Sequence, residues 1–164
     1  MSLEQSTPGT VTLKSTFGHY PSGVAALCAE VDGTPQVLIS SSFTVGVSFE
    51  PPLVLLAVQR SSQTWPLLRS APRLGVSVLS SDQDVLCRQL SSRNRAGRFE
   101  GVELVRIKSG AVLFEGAAAW MQCSVFDEHD AGDHEVIILR VHDHDADRAS
   151  EPLVFHGSAF RRLG

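Results

Sequence analysis

Apolar residues along this chain gather in short runs, mostly of five to nine residues, separated by glycine-, proline- and serine-rich breaks. A polar opening, residues 1–9, reads as a flexible tail ahead of a single domain over 10–164. "TVTLKSTFGHY" has the make-up of a short helix ending near Gly18. "GVAALCAEV" is a buried strand, "DGTP" a turn, and "QVLIS" the returning strand of a hairpin. "PPLVLLAV" is a third strand, with its prolines confined to the start because neither can donate to a ladder. "TWPLLRS" is a short helix with Thr64 at the N-cap and Pro66 in the first turn. "RLGVSVLS" is a fourth strand. "SDQDVLCRQL" opens on Ser81 with Asp84 three residues later, the spacing of a capping box. "SSRNRAGRFEG" is a polar, basic loop. "AVLFEGAAAWMQCSVF" is one long strand or two broken at Gly116. "HEVIILRVHDHD" is a strand, and "EPLVFHGSAFRRL" closes the fold with one more.

The count is six or seven strands with two or three short helices, and consecutive strands often follow one another with no helix between. That order disfavours a doubly wound parallel sheet. It predicts a mainly β fold, an antiparallel barrel that removes its edges by closing. A chain of 164 residues favours one domain with a sizeable core.

Composition narrows the function classes. The net charge of −4 offers no general attraction to nucleic acid or to an anionic membrane. The longest apolar run, "PLVLLAV", is too short to span a bilayer. No basic, apolar leader opens the chain. Cys28, Cys87 and Cys123 are odd in number and form no CxxC pair, which argues against structural zinc or a disulfide framework and for a reducing cytoplasm. "VHDHDAD" and "FDEHDAGDH" bring His142, His144 and His129 near acidic residues. With no third ligand at a fixed spacing they read as solvated hairpin ends, so no metal is expected. Nucleophile-elbow, Walker and dinucleotide Gly-x-Gly-x-x-Gly motifs are absent, so any nicotinamide is not held by a Rossmann domain.

One connection stands out. Between "QVLIS" and "PPLVLLAV" lie serines, a threonine and glycine, more residues than a turn of two to five requires. Small, crowded hydroxyls suit a ligand-facing segment, and they equally suit a loop that caps its own backbone.

The ordered set "FGHYPSGVAAL", "SSSFTVGVSFEPPLVLLAV", "RSSQTWPLL", "GVSVLSSDQ", "RFEGV", "GDHEVIILRV" and "PLVFHGSAF" resembles the short-chain flavin reductase family from Phe17 to Leu163. The resemblance implies a split antiparallel β-barrel of the FMN-binding type. It also implies a homodimer, bound FMN or FAD, and NADH or NADPH as hydride donor. Its function would be to supply reduced flavin to a partner monooxygenase. By similarity Ser41, Ser42, Phe43 and Thr44 line the ring or ribityl chain, and Ser48 shapes the pocket. Arg60, Ser61, Ser62 and Thr64 would hold the phosphate near a helix start, a position that favours anions. Arg98 and Phe99 match the family's Arg-Phe, with Arg98 suited to a phosphate. Arg93 and Arg95 read as a solvated loop face. Gly132, Asp133 and His134 match its Gly-Asp-His, placing His134, with Phe155, where nicotinamide stacks.

The chain departs from the family pattern at Val37 and Ile39, at Leu90-Ser91, and at Phe155 and Phe160, where an aromatic hydroxyl is frequent. Fewer hydrogen bonds imply looser flavin binding, which suits a protein that releases its product. The alternative reading is a non-catalytic flavin or haem carrier or sensor on the same barrel, with His19 as a possible ligand.

Overall fold

The computed structural model describes residues 10–164; the tail expected over 1–9 lies outside the described residues. Helix α1 (Thr10–Gly18) leads through the short strand β1 (Ser22–Gly23) into a hairpin of β2 (Ala25–Val31) and β3 (Thr34–Ser40). Asp32 and Gly33 form its turn with φ of 51° and 77°, the left-handed pair that a two-residue hairpin loop requires. A second hairpin joins β4 (Thr44–Phe49) to β5 (Pro52–Gln59), and α2 (Trp65–Arg69) precedes β6 (Leu74–Val78). After α3 (Asp84–Leu90) and a single 3-10 turn (Arg95–Gly97) come β7 (Leu104–Arg106) and β8 (Val112–Phe114). The long strands β9 (Ala119–Ala131) and β10 (His134–Ala146) follow, then β11 (Val154–His156) and β12 (Ala159–Arg161).

All strand pairs are antiparallel. Seven strands form one sheet in the order β3-β2-β6-β9-β10-β5-β4, flanked by a small sheet β1-β11-β12 and the pair β7-β8. The sheet curls on itself. Ala25, Leu27 and Ala29 of β2 share one buried cluster with Val54, Leu56 and Val58 of β5, although three strands separate β2 from β5. Leu74, Val76, Cys123, Ile137 and Leu139 fill the same interior, and Trp65 and Leu68 of α2 pack into it. Each fully buried leucine contributes roughly 1.5–3 kcal/mol relative to exposure.

A second cluster lies on the outer face of β2, where Ala26 and Cys28 meet Leu79, Cys87, Leu90, Val112, Phe114 and Leu153. Strand β2 is therefore buried on both faces, which explains the unbroken apolar run in "AALCA". Gly75 is required where β8 crosses β6, since a Cβ there would lie 2.0 Å from the Val112 carbonyl oxygen.

Three features differ from the sequence expectation, and the break at Gly116 is the second of the two forms expected for its stretch. The serine-rich connection contains a strand, β4. Phe43, Val45, Val47 and Phe49 alternate through it, but most of it is exposed and its pairing with β5 shifts register between Thr44 and Ser48, so it reads as a loop. The closing segment is a hairpin rather than one strand, turned at Gly157 and Ser158 with φ of 58° and 59°. The stretch 111–126 breaks at Gly116 (φ 79°) into β8 and β9. The capping box at Ser81 does not form. Helix α3 starts at Asp84, and the Gln83 side chain instead accepts the Ser80 N–H (3.0 Å) and donates to the Glu115 carbonyl (2.8 Å).

Candidate functional site

The seam of the barrel lies between β3 and β5, and serines close it. The Ser42 hydroxyl accepts the Ala57 N–H (3.0 Å) and donates to the Ala57 carbonyl (3.1 Å), the exchange a ladder residue would make with its backbone. Ser40 Oγ lies 3.1 Å from Ser42 Oγ and accepts the Ser42 N–H at 3.2 Å. Ser40 and Ser42 therefore staple the split edge. Ser41 lies between them in sequence, and its hydroxyl has no hydrogen-bond partner among the described residues.

A cleft runs along this seam in two joined compartments. The polar one, about 460 Å³, is lined by Ser40, Ser41, Ser42, Gln59, Ser61, Ser62 and His134. The second, about 370 Å³, is lined by Val24, Val37, Ser62, Thr64, Arg98, Phe155 and Phe160 among others. Leu38, Ile39, Ser41 and Ser62 belong to both. Strand β3 is the last strand of its sheet, so one edge of its backbone has no strand neighbour. Phe155 and Phe160 are tilted against each other at 5.7 Å, and the Arg88 guanidinium sits 5.0 Å over the Phe160 ring, bracing that wall.

The hydroxyls near α2 carry separate tasks. Thr64 occupies the N-cap position but makes no capping bond. Ser62 Oγ takes the Trp65 N–H instead (3.1 Å). Thr64 is buried and its hydroxyl accepts from Arg95 Nη2 (3.2 Å). Arg95 is exposed on its loop, as expected, and lines neither compartment, but its guanidinium reaches across to Thr64, 31 residues away in sequence. Arg98 is fixed by a 2.7 Å bond from Nε to the Ser92 carbonyl. Partial burial, and then the positive charge of Arg95, lower the Arg98 pKa from its ordinary value. Among the described residues neither arginine pairs with a carboxylate. Two guanidiniums without a carboxylate partner, beside serine and threonine hydroxyls, have the chemistry to hold a multivalent anion such as a phosphate.

At the far end of the polar compartment stands His134, first residue of β10 and register partner of Gln59. Its Nδ1 lies 2.6 Å from Asp133 Oδ1, which leaves Nε2 as the ring nitrogen available to a ligand. The hydrogen bond and charge of His134 hold the exposed Asp133 carboxyl below the usual carboxylate range.

Of the residues expected at the site, Ser41, Ser42, Ser61, Ser62, Thr64, Arg98, His134 and Phe155 line the cleft. Of the four residues expected on the nicotinamide side, His134 lines the polar compartment and Phe155 the other, while Gly132 and Asp133 line neither. The rest fall outside the cleft lining. Phe43 packs against the barrel core. Thr44 donates to the Ser42 carbonyl (3.4 Å), and Ser48 lines an apolar groove with Phe49 and Trp120. Phe99 lies parallel to Phe114, 6.4 Å between centroids, because the loop turns its ring onto the second core. Gly132 (φ 66°) and Asp133 form the turn before His134. Arg60 turns away from the cleft toward that same turn. Cys87, Leu90 and Ser91 also face the second compartment; nothing in the sequence pattern separates them from ordinary helix core.

The fold and cleft are those of a split-barrel flavin-binding protein. Residues 17–164 match the family described as Flavin reductase like domain, and this chain belongs to it. It is 32% identical over 148 residues to a flavin reductase of Pseudomonas putida, covering 90% of this chain and 86% of that one. It is 30% identical over 143 residues to the reductase subunit HsaB of a flavin-dependent monooxygenase from Rhodococcus jostii, covering 87% of this chain and 72% of the relative. Among solved structures it is similar to the Streptomyces globisporus NADH:FAD oxidoreductase determined with NAD and FAD fragments. That match has a TM-score of 0.87 and 32% identity, over 94% of this chain and 92% of the other.

Proposed function

We propose that this chain is an NAD(P)H-dependent flavin reductase that binds FMN or FAD along the β3–β5 seam and passes reduced flavin to a partner monooxygenase. The observation that carries the reading is the carboxylate-free pair Arg95 and Arg98 beside Ser62 and Thr64, joined by one cleft to His134. A bound flavin supplies the capacity to take a hydride from reduced nicotinamide. The chain's own residues bind and orient. Arg98, Arg95, Ser61, Ser62 and Thr64 hold the phosphate, Ser41 and the free edge of β3 face the ring and ribityl chain, and His134 Nε2 meets the nicotinamide. The similarity to a monooxygenase reductase subunit supports the partner. The haem alternative finds no support in the geometry, since His19 packs edge-on to His156 at 6.4 Å and lines neither compartment.

We further propose a homodimer in the cytoplasm. Val45, Val47 and Phe49 of β4 are 62%, 40% and 88% exposed, an apolar row that a second copy would cover. No helix among the described residues is long and apolar enough to cross a membrane. The deciding experiment mixes protein, excess FMN or FAD, and NADH or NADPH under air, and follows the nicotinamide absorbance. Turnover dependent on added flavin supports the reductase; no oxidation with either nucleotide rejects it.

A further inference from the structure

We propose that Arg60 is a positioning residue for the nicotinamide step, a clamp that sets His134 against the cleft rather than a phosphate ligand. Arg60 stands between Gln59 and Ser61, which both line the polar compartment, but its own side chain leaves it. Nε donates to the Gly132 carbonyl at 2.8 Å, Nη2 pairs with Asp130 at 2.7 Å, and its backbone N–H donates to the Asp133 carbonyl at 3.0 Å. One residue therefore grips three consecutive features of the β9–β10 tip, namely the end of β9, the Gly132 turn and the backbone of Asp133. Asp133 in turn holds His134 Nδ1.

The wall that carries Ser61 and Ser62 is thereby tied to the wall that carries His134. Without the tie, the Gln59–His134 register pair and the Arg60 backbone bond still hold the tip, with the Arg69–Glu128 ion pair (2.6 Å) two residues further down β9. The guanidinium fork is what a lysine cannot reproduce, since Nε and Nη2 serve two partners at a fixed angle. The ion pair to Asp130 is itself weak, because the two side chains are 44% and 81% exposed. The bond to the Gly132 carbonyl carries the positioning. The similarity-based expectation, a phosphate contact, would require Arg60 to face the anion locus at Arg95 and Arg98, and it does not line that compartment.

The proposal rests on the reductase reading for its kinetic test, and a second measurement frees it from that dependence. For Arg60→Ala, with steady-state NADH oxidation at saturating flavin, the expected result is a KM for NADH raised about five- to tenfold, with kcat and flavin Kd each within about twofold. Arg60→Lys restores the charge but not the fork and should recover less than half of the loss on a logarithmic scale. Asp130→Asn, which keeps the carbonyl bond, should change the KM less than about twofold. A flavin Kd that weakens with the NADH KM unchanged makes Arg60 a flavin ligand and overturns the proposal; so does full rescue by lysine. The independent measurement is amide hydrogen exchange in wild type, Arg60→Ala and, should alanine unfold, Arg60→Lys. Exchange should speed up at residues 130–134 and not in β2 or β6. Unchanged tip exchange overturns the clamp even if wild type oxidises no nicotinamide, an outcome that would reject the reductase reading alone.

Discussion

Ser41 and Ser42 are neighbours of the same chemistry, and the structure assigns them opposite consequences. Removing the Ser42 hydroxyl takes partners from both the N–H and the carbonyl of Ala57, and from Ser40 Oγ. Three neutral hydrogen bonds contribute roughly 0.5–1.5 kcal/mol each, and because water reaches the exposed Ser42 the lower part of that sum, about 1.5–3 kcal/mol, is expected for Ser42→Ala. At this chain length one kcal/mol moves the melting temperature by about 2–4 °C, so the variant should melt about 3–12 °C lower. Ser41→Ala removes a hydroxyl with no partner among the described residues and should leave the melting temperature within about 1 °C. Its cost falls on flavin, whose Kd should rise roughly threefold to tenfold for one lost hydrogen bond. The assays are thermal unfolding by circular dichroism without flavin, and flavin fluorescence titration. If Ser42→Ala melts with wild type, or Ser41→Ala melts as low as Ser42→Ala, the staple is misassigned.

Arg98→Ala should weaken FMN binding about tenfold to a hundredfold, the worth of a charge-assisted bond, while riboflavin, which lacks the phosphate, binds almost as before; equal losses for both ligands would refute the anion locus. Phe49→Asp should turn a homodimer into a monomer at micromolar concentration by sedimentation, and an unchanged species would place the interface elsewhere. Burial pushes the Cys28 and Cys123 thiols up to about 12, so at pH 8 these two should react with a thiol reagent no faster than the chain unfolds, whereas Cys87, which lines the cleft, should react sooner. Rapid labelling of Cys28 or Cys123 in native protein would contradict the packing around them.

The barrel was legible wherever one residue's neighbours in sequence report its environment. The continuous apolar runs of β2 and β5 announce buried strands, and Asp32-Gly33 announces the turn after β2. Strand β4 carries a period-two signal too, at Val45, Val47 and Phe49, but threonine, glycine and serine at the alternate positions mask it, and these three side chains are exposed rather than packed in the chain's own core. The site divided the same way. Hydroxyl-rich segments flag a polar seam, but which hydroxyl staples and which stays open depends on side-chain direction relative to Ala57. Arg60 and Phe99 leave the cleft lining for a common reason. Each is placed by a partner distant in sequence, Gly132 and Phe114 respectively.

This division follows from how a split barrel must work. A sheet that closed fully through backbone ladders would have no free edge at β3 and no cleft. One left fully open would expose the core of β2 and β5 to water. Ser40 and Ser42 resolve the conflict by closing the seam through short side chains at one point, leaving the rest of the β3 edge free. The two ends of the opening are then set by long-range ties, Arg95 to Thr64 at one and Arg60 to the β9–β10 tip at the other. Both ties run from exposed arginines outside the two apolar clusters, so substituting Arg60 or Arg95 should alter the spacing of the two ends with little effect on stability. Mutations at the ties should therefore separate flavin affinity from nicotinamide use, whereas mutations at the staple should lower stability and flavin affinity together.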